Sequence, residues 1–258
     1  PYSQLATGHA TLYFYIILLS FKLFGLGLFA LRLPAAIFGV LNPLVFYLIL
    51  KKIFKNPLSF ILSIIFITMR WYFNFARFGF EVTFLLFLEF TSLYFMFLYL
   101  EKKKMSNLVI SGIFAGLAYN SYQPGRIFVL IPLLLLFSSI IKNRAILWKS
   151  AVYFLIHFFL LILPLIVYLN IHKDTRFYQQ FYPDNHEMNL QEKGQFFMRN
   201  LSSTLGIFHI NGDVNGRHNY PNKAALNPIL GVLFLSGLVI AIKKIKERKN
   251  QLFLLWFF

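Results

Sequence analysis

The chain has 258 residues, a formal net charge of +16, 58% hydrophobic but only 13% charged residues, and a mean hydropathy of +0.64. Water cannot solvate so much Phe, Leu and Ile on a soluble domain of this length, so the composition is that of an integral membrane protein. The positive charge lies in short clusters between apolar runs, which fits topology signals and lipid headgroups rather than nucleic acid. The sequence has no cysteine, which excludes disulfides and thiolate metal sites.

The first segment, 1–27, contains an apolar run at 11–24 that includes Lys22. A span needs about 20 apolar residues, so this shorter run reads as an amphipathic helix at the interface. Six membrane helices are then expected within 28–171, at 28–50, 58–75, 80–100, 108–122, 127–141 and 151–171. The fourth and fifth are short and pair through a tight turn at Gln123-Pro124-Gly125. A polar stretch at 172–227 forms a long loop, a seventh helix follows at 228–242, and 252–258 opens an eighth. Phe197, Leu201 and Leu205 in the long loop are spaced by four, the pattern of a helix resting on the membrane surface or packed on its own domain. The expectation is an all-α polytopic bundle in one membrane domain. Both ends read as cut from a longer protein, since the chain starts without Met and stops inside an apolar run.

The connecting charges orient these helices. One set of loops holds Lys51, Lys52 and Lys55; Lys102 to Lys104; Lys142, Arg144 and Lys149; and the Lys243 to Lys249 cluster. These alternate with the loops at 70–81, 122–126 and 172–227. Dense lysine marks the cytoplasmic side, so the N-terminal segment and the second set of loops are expected on the outer face.

That face gathers Arg77, Glu81, Tyr122, Gln123, Arg126, Asp213, Arg217, His218 and Asn219, with His9 near the start. Arginine at the bilayer surface suits a phosphate through paired charge-assisted hydrogen bonds. A carboxylate can position a hydroxyl, act as a base or hold a divalent cation. The site therefore suits a phosphorylated lipid. Plainer readings stand beside this one: interfacial anchoring for Arg77 and Arg126, a helix N-terminal charge for Glu81, a structural role for His218. Gly212-Asp213 before Asn215-Gly216 also reads as a turn in which Asp213 bonds its own backbone. No His-x-x-x-His or paired-carboxylate spacing marks a metal site in this loop, so the cofactor stays open, with a divalent cation as one option. Glu89 and His157 lie deeper within apolar runs; an intramembrane carboxylate is a functional candidate by default, a protonated or hydrogen-bonded structural role stands beside it for Glu89, and His157 reads as structural.

Several blocks carry a family resemblance. Gly8-His9 through Leu12-Tyr13-Phe14-Tyr15, then Leu31-Arg32-Leu33-Pro34, Ala76-Arg77-Phe78-Gly79-Phe80-Glu81 and Tyr119-Asn120-Ser121-Tyr122-Gln123-Pro124-Gly125-Arg126 occur in order. Gly212-Asp213, Arg217-His218-Asn219 and Asn227-Pro228 follow. Together they resemble the dolichyl-phosphate-mannose protein mannosyltransferase-like group, the polytopic C-type glycosyltransferases of glycosyltransferase family 39 and its bacterial and archaeal relatives. The resemblance implies transfer of a sugar from a polyprenyl-phosphate carrier to an acceptor, outside the plasma membrane of a prokaryote. It departs at Ala10-Thr11, where relatives often have Pro-Pro, and at Ala225 and Asn227, where they often have Pro and Asp. The family's principal catalytic acid belongs to a first outer loop, and no acid occurs between Pro1 and Arg77. The resemblance thus implies an auxiliary role for Glu81, a principal acid upstream of Pro1, and an inactive fragment. A lipid-phosphate-binding scaffold and a transporter remain the alternatives.

Overall fold

The structure is a computed structural model that describes residues 2–3, 9–140, 144–171, 189–216, 219–247, 250–251 and 253–254, without the side chains of 2–3, 9–10, 139–140 and 144–147. Arg217, His218, Leu252 and most of the expected eighth helix lie outside the described residues. Apart from a two-residue antiparallel pairing of Tyr2–Ser3 (β1) with His9–Ala10 (β2), the described fold is helical, an all-α polytopic bundle. The chain divides into two compact units, 1–68 with 75–173, and 69–74 with 174–258.

In the first unit, α1 (Leu12–Phe24) ends at Gly25, whose φ of 79° a side chain would resist. The long helix α2 (Leu28–Leu50) contains two buried prolines, Pro34 and Pro43. Pro34 has no N–H to give the Ala30 carbonyl four residues back. The Ser20 hydroxyl of α1 takes that acceptor at 2.7 Å.

The expected single span at 58–75 is broken. The structure has α3 (Asn56–Thr68) and a separate α4 (Arg70–Arg77), with Met69 between them. Arg70, Asn74 and Arg77 recur at helical spacing, so α4 is amphipathic. Continuing α3 through it would drive Arg70 into hydrocarbon, at a penalty of roughly 2.5–3.5 kcal/mol.

Residues 70–74 of α4 belong to the second unit, and the other helices of the first are α5 (Val82–Lys102), α6 (Met105–Tyr119), α7 (Gly125–Phe128), α8 (Leu130–Ile140) and α9 (Arg144–Ile171). Among the described residues, Leu28–Leu50, Val82–Lys102 and Trp148–Ile171 are long and apolar enough to cross a membrane, and α3 with α4 adds a bent fourth. The helices at the fourth, fifth and seventh expected places fall short of the length a straight crossing needs. Multiple apolar helices of this kind make the chain a multi-pass membrane protein.

Lipid is as apolar as leucine, so helices in a membrane are held by close packing and by polar ties rather than by escape from water. Both occur here. Phe46 packs on Phe66 and Phe90 at 4.9 and 5.2 Å between ring centroids, and Phe38 on Phe84 and Phe87 at 4.8 and 5.2 Å, joining α2, α3 and α5. Asn42 donates to the Thr83 carbonyl at 2.9 Å, and the Thr83 hydroxyl returns to the Ala35 carbonyl at 3.2 Å. Ser92 and Ser111 each donate to the other's carbonyl at 2.9 Å, tying α5 to α6. On α6, Gly112 and Gly116 let the backbone of α9 approach. A Cβ on Gly112 would lie 2.6 Å from the Phe154 carbonyl oxygen, and one on Gly116 would lie 2.8 Å from Leu161 Cβ.

The two ends of this unit differ in chemistry. At one end Lys52 pairs with Glu101 at 2.7 Å, and the Tyr99 hydroxyl hydrogen-bonds Ser150 near the start of α9. The lysine-rich segments around 51–55, 101–104 and 144–149 therefore share that end. The opposite end holds the Gly79 and Tyr122–Arg126 turns.

The second unit contains α10 (Leu190–Gly206) and α11 (Pro228–Lys243). A capping box starts α10: Asn189 Oδ1 accepts from Glu192 N–H at 2.9 Å, and Glu192 accepts from Asn189 N–H at 2.8 Å. Asn227 caps α11 by accepting from Leu230 N–H at 2.9 Å, with Pro228 in the first turn.

Candidate functional site

The polar groups of the first unit converge where α5 begins. Glu81 stands at the N-cap of α5 and is only 2% exposed. Its side chain makes no capping hydrogen bond. The position still favours a negative charge, because the unpaired N–H groups of the first turn point toward it. Tyr13 reaches this carboxylate from α1. It is 1% exposed, its ring lies 5.9 Å from Phe84, and among the described residues its hydroxyl has no hydrogen-bond partner. Burial first, and the Glu81 charge second, raise the Tyr13 hydroxyl well above its ordinary value.

The turn after α6 closes over the same helix end. Tyr122 sets its ring edge-on to Phe80 at 5.6 Å, beside Glu81. Gly125 packs against the Ala118 carbonyl and Leu85, leaving no room for a Cβ. That close approach brings Arg126 to α5, with its guanidinium 6.0 Å from the Tyr119 ring centroid. Gln123 Nε2 and Ser121 Oγ are buried here without hydrogen-bond partners among the described residues. Buried polar atoms left unbonded cost about 1–3 kcal/mol each, so Tyr13, Ser121 and Gln123 offer unused hydrogen-bonding capacity beside a carboxylate.

Of the residues expected from sequence, Glu81, Tyr122, Gln123 and Arg126 therefore gather at one end of one unit. Arg77 is exposed at the C-terminus of α4. His9 pairs through its backbone with Ser3, and its side chain is outside the described residues. Tyr13 was not singled out as a site residue, although it lies inside a quoted motif. A tyrosine in an apolar helix reads as packing, and only its neighbours in space expose the partnerless hydroxyl.

In the second unit the loop between α10 and α11 folds on itself. Ala225 N–H donates to the Ile207 carbonyl at 2.9 Å and Leu226 N–H to the Phe208 carbonyl at 3.2 Å. Asp213 Oδ1 accepts from Asn215 N–H at 2.8 Å, the local turn that the Gly-Asp spacing implied. Asn219, buried, donates to the Lys223 carbonyl at 2.9 Å, and its buried Oδ1 has no hydrogen-bond partner among the described residues. Asp213 and Asn219 thus shape the described part of the loop between α10 and α11. On α9, the half-buried His157 has its Nδ1 2.7 Å from the Tyr153 carbonyl of its own helix. Among the described residues no group of three or more His, Asp or Glu side chains could hold a metal ion.

No curated protein and no solved structure gives a significant match to this chain. A family model described as dolichyl-phosphate-mannose-protein mannosyltransferase matches residues 8–168, which include α1, the Glu81 end of α5 and the Tyr122–Arg126 turn. With well over half of its length matched in this way, the chain belongs to the dolichyl-phosphate-mannose-protein mannosyltransferase family of membrane glycosyltransferases.

Proposed function

We propose that the chain belongs to an enzyme that moves a hexose of the mannose kind from a polyprenyl-phosphate carrier to an acceptor on the extracytoplasmic face of a prokaryotic plasma membrane. The observation that carries this reading is the buried Glu81, set between Tyr13 and the Tyr122–Arg126 turn at the end opposite the lysine-rich segments. Dense lysine favours the cytoplasm, which supports an outward site. In the reaction the acceptor oxygen attacks the anomeric carbon while the bond from that carbon to the phosphate oxygen breaks. The polyprenyl phosphate leaves with the electron pair, and the acceptor proton passes to a carboxylate. Arg126 and Arg217 bind the phosphate and stabilise its growing charge. Glu81 is an auxiliary carboxylate that orients the acceptor hydroxyl or a divalent cation. His218 and Asn219 orient phosphate or sugar, Asp213 holds the loop, and His9, Arg77, Tyr122 and Gln123 complete the substrate surface.

The test is full-length protein in proteoliposomes with radiolabelled polyprenyl-phosphate mannose. Transfer that is lost in Arg126→Glu and Arg217→Glu, with expression intact, supports the reading. Binding without transfer points to a lipid-phosphate scaffold, and uptake into the vesicle lumen to a transporter; either overturns it.

A further inference from the structure

We infer that α10 lies flat on the membrane surface with its Phe197, Leu201 and Leu205 stripe in the lipid. At 100° per residue, Leu190, Phe197, Met198, Leu201 and Leu205 fall within one arc about 100° wide. All five are exposed, Leu190 at 88% and Phe197 at 61%, and no residue of α10 is buried. Of the two origins of this spacing, the described residues therefore disfavour packing against the helix's own domain. Gln195, Arg199, Glu192 and Ser202 occupy the other face. The capping box lets α10 form without a packed partner.

Its position in the second unit identifies the occupant as a bilayer. The residues that follow α10 are bonded to the segment just before α11 through Ile207 with Ala225 and Phe208 with Leu226. Phe208 stacks on Phe234 at 5.7 Å, and His209 Nε2 lies 3.2 Å from the Gly231 carbonyl. Here α11 itself exposes Ile229, Val232 and Leu233, an apolar surface that in a multi-pass membrane protein meets lipid. The stripe of α10 therefore leaves from the end of a lipid-facing helix, at the depth where chains enter the headgroup layer. Lys193 borders the stripe, where its stem can follow the apolar surface and its ammonium can reach lipid phosphates. The consequence is a strap that holds the loop of Gly212, Asp213 and Asn219 at headgroup height.

The absence of cysteine makes the test direct. Single cysteines at 195, 197, 199, 201, 202 and 205 of the full chain are spin-labelled in liposomes of phosphatidylglycerol and phosphatidylethanolamine. Their relaxation by oxygen is compared with relaxation by a water-soluble nickel chelate. Oxygen is expected to dominate at 197, 201 and 205 and the chelate at 195, 199 and 202, with the helical period of about 3.6 residues. The pair Leu201→Asp and Leu205→Asp should then open a label at 197 to the chelate. Stripe labels closed to both reagents would place protein over the stripe, and stripe labels open to the chelate would place it in water; either overturns the inference. The readout needs no sugar transfer, so it stands or falls apart from the proposed reaction.

Discussion

Gly112→Ala tests whether backbone contact holds α6 against α9. The added Cβ would lie 2.6 Å from the Phe154 carbonyl oxygen and 3.5 Å from His157 Cβ, whereas ordinary contact begins near 3.4 Å. The obstacle is backbone, so α9 must recede by about 0.8 Å rather than rotate a side chain away. That movement stretches the 2.9 Å bond from Asn120 Nδ2 to the Leu161 carbonyl beyond useful range. Overpacking costs about 1–3 kcal/mol and the lost bond roughly 0.5–1.5, while alanine returns about 1 kcal/mol of helix propensity. The net loss is about 0.5–3.5 kcal/mol. At roughly 2–4 °C per kcal/mol, the midpoint of thermal unfolding in detergent should fall by several degrees. Gly237→Ala on α11 is the control, since a Cβ there meets nothing within 4 Å and should raise stability by up to ~1 kcal/mol. If both substitutions raise the midpoint alike, the α6–α9 backbone contact is refuted.

Three further outcomes are expected. The Tyr13 hydroxyl holds its proton more tightly folded than unfolded, so its contribution is complete below the ordinary pKa of 10.0 and is lost as pH rises through the higher folded value. Wild type should therefore lose stability relative to Tyr13→Phe above pH 10; a difference that stays flat between pH 8 and 11 removes the argument. A Cβ on Gly212 would collide with the Lys223 carbonyl, so Gly212→Ala should open the Asp213–Asn219 loop and weaken donor binding while helical circular dichroism is unchanged. Unaltered binding would show that this loop is not part of the substrate surface. Glu101→Gln removes an ion pair whose carboxylate side chain is 47% exposed, so the loss should stay under ~1 kcal/mol and fade in high salt, as denaturation at two ionic strengths would reveal.

Helix positions were legible because an apolar run of sufficient length has few alternatives in a chain this poor in charge. The break at Met69 was not, because overall hydropathy ignores which face each residue occupies, and it is the alignment of Arg70, Asn74 and Arg77 that ends α3. The grouping of Glu81, Tyr122, Gln123 and Arg126 followed from the alternation of lysine-rich and lysine-poor loops, a long-range constraint written in composition. The turn made by Asp213 was legible from local spacing alone. Tyr13 was not, since nothing in a sequence distinguishes a satisfied phenol from one left without a hydrogen-bond partner. The close approach of α6 and α9 at Gly112 and Gly116 was not legible either, because the partner helix is some forty residues away.

The bond from Ser20 to the Ala30 carbonyl bears on the order in which the chain assembles. α1 is synthesised before α2, yet the acceptor that seats it is left open by Pro34, which arrives later. The earlier helix therefore has no completed berth until the later one has formed. With α1 travels Tyr13, and with Tyr13 one wall of the Glu81 site. A proline usually counted as a flaw in a helix thus supplies the acceptor that seats one wall of the site.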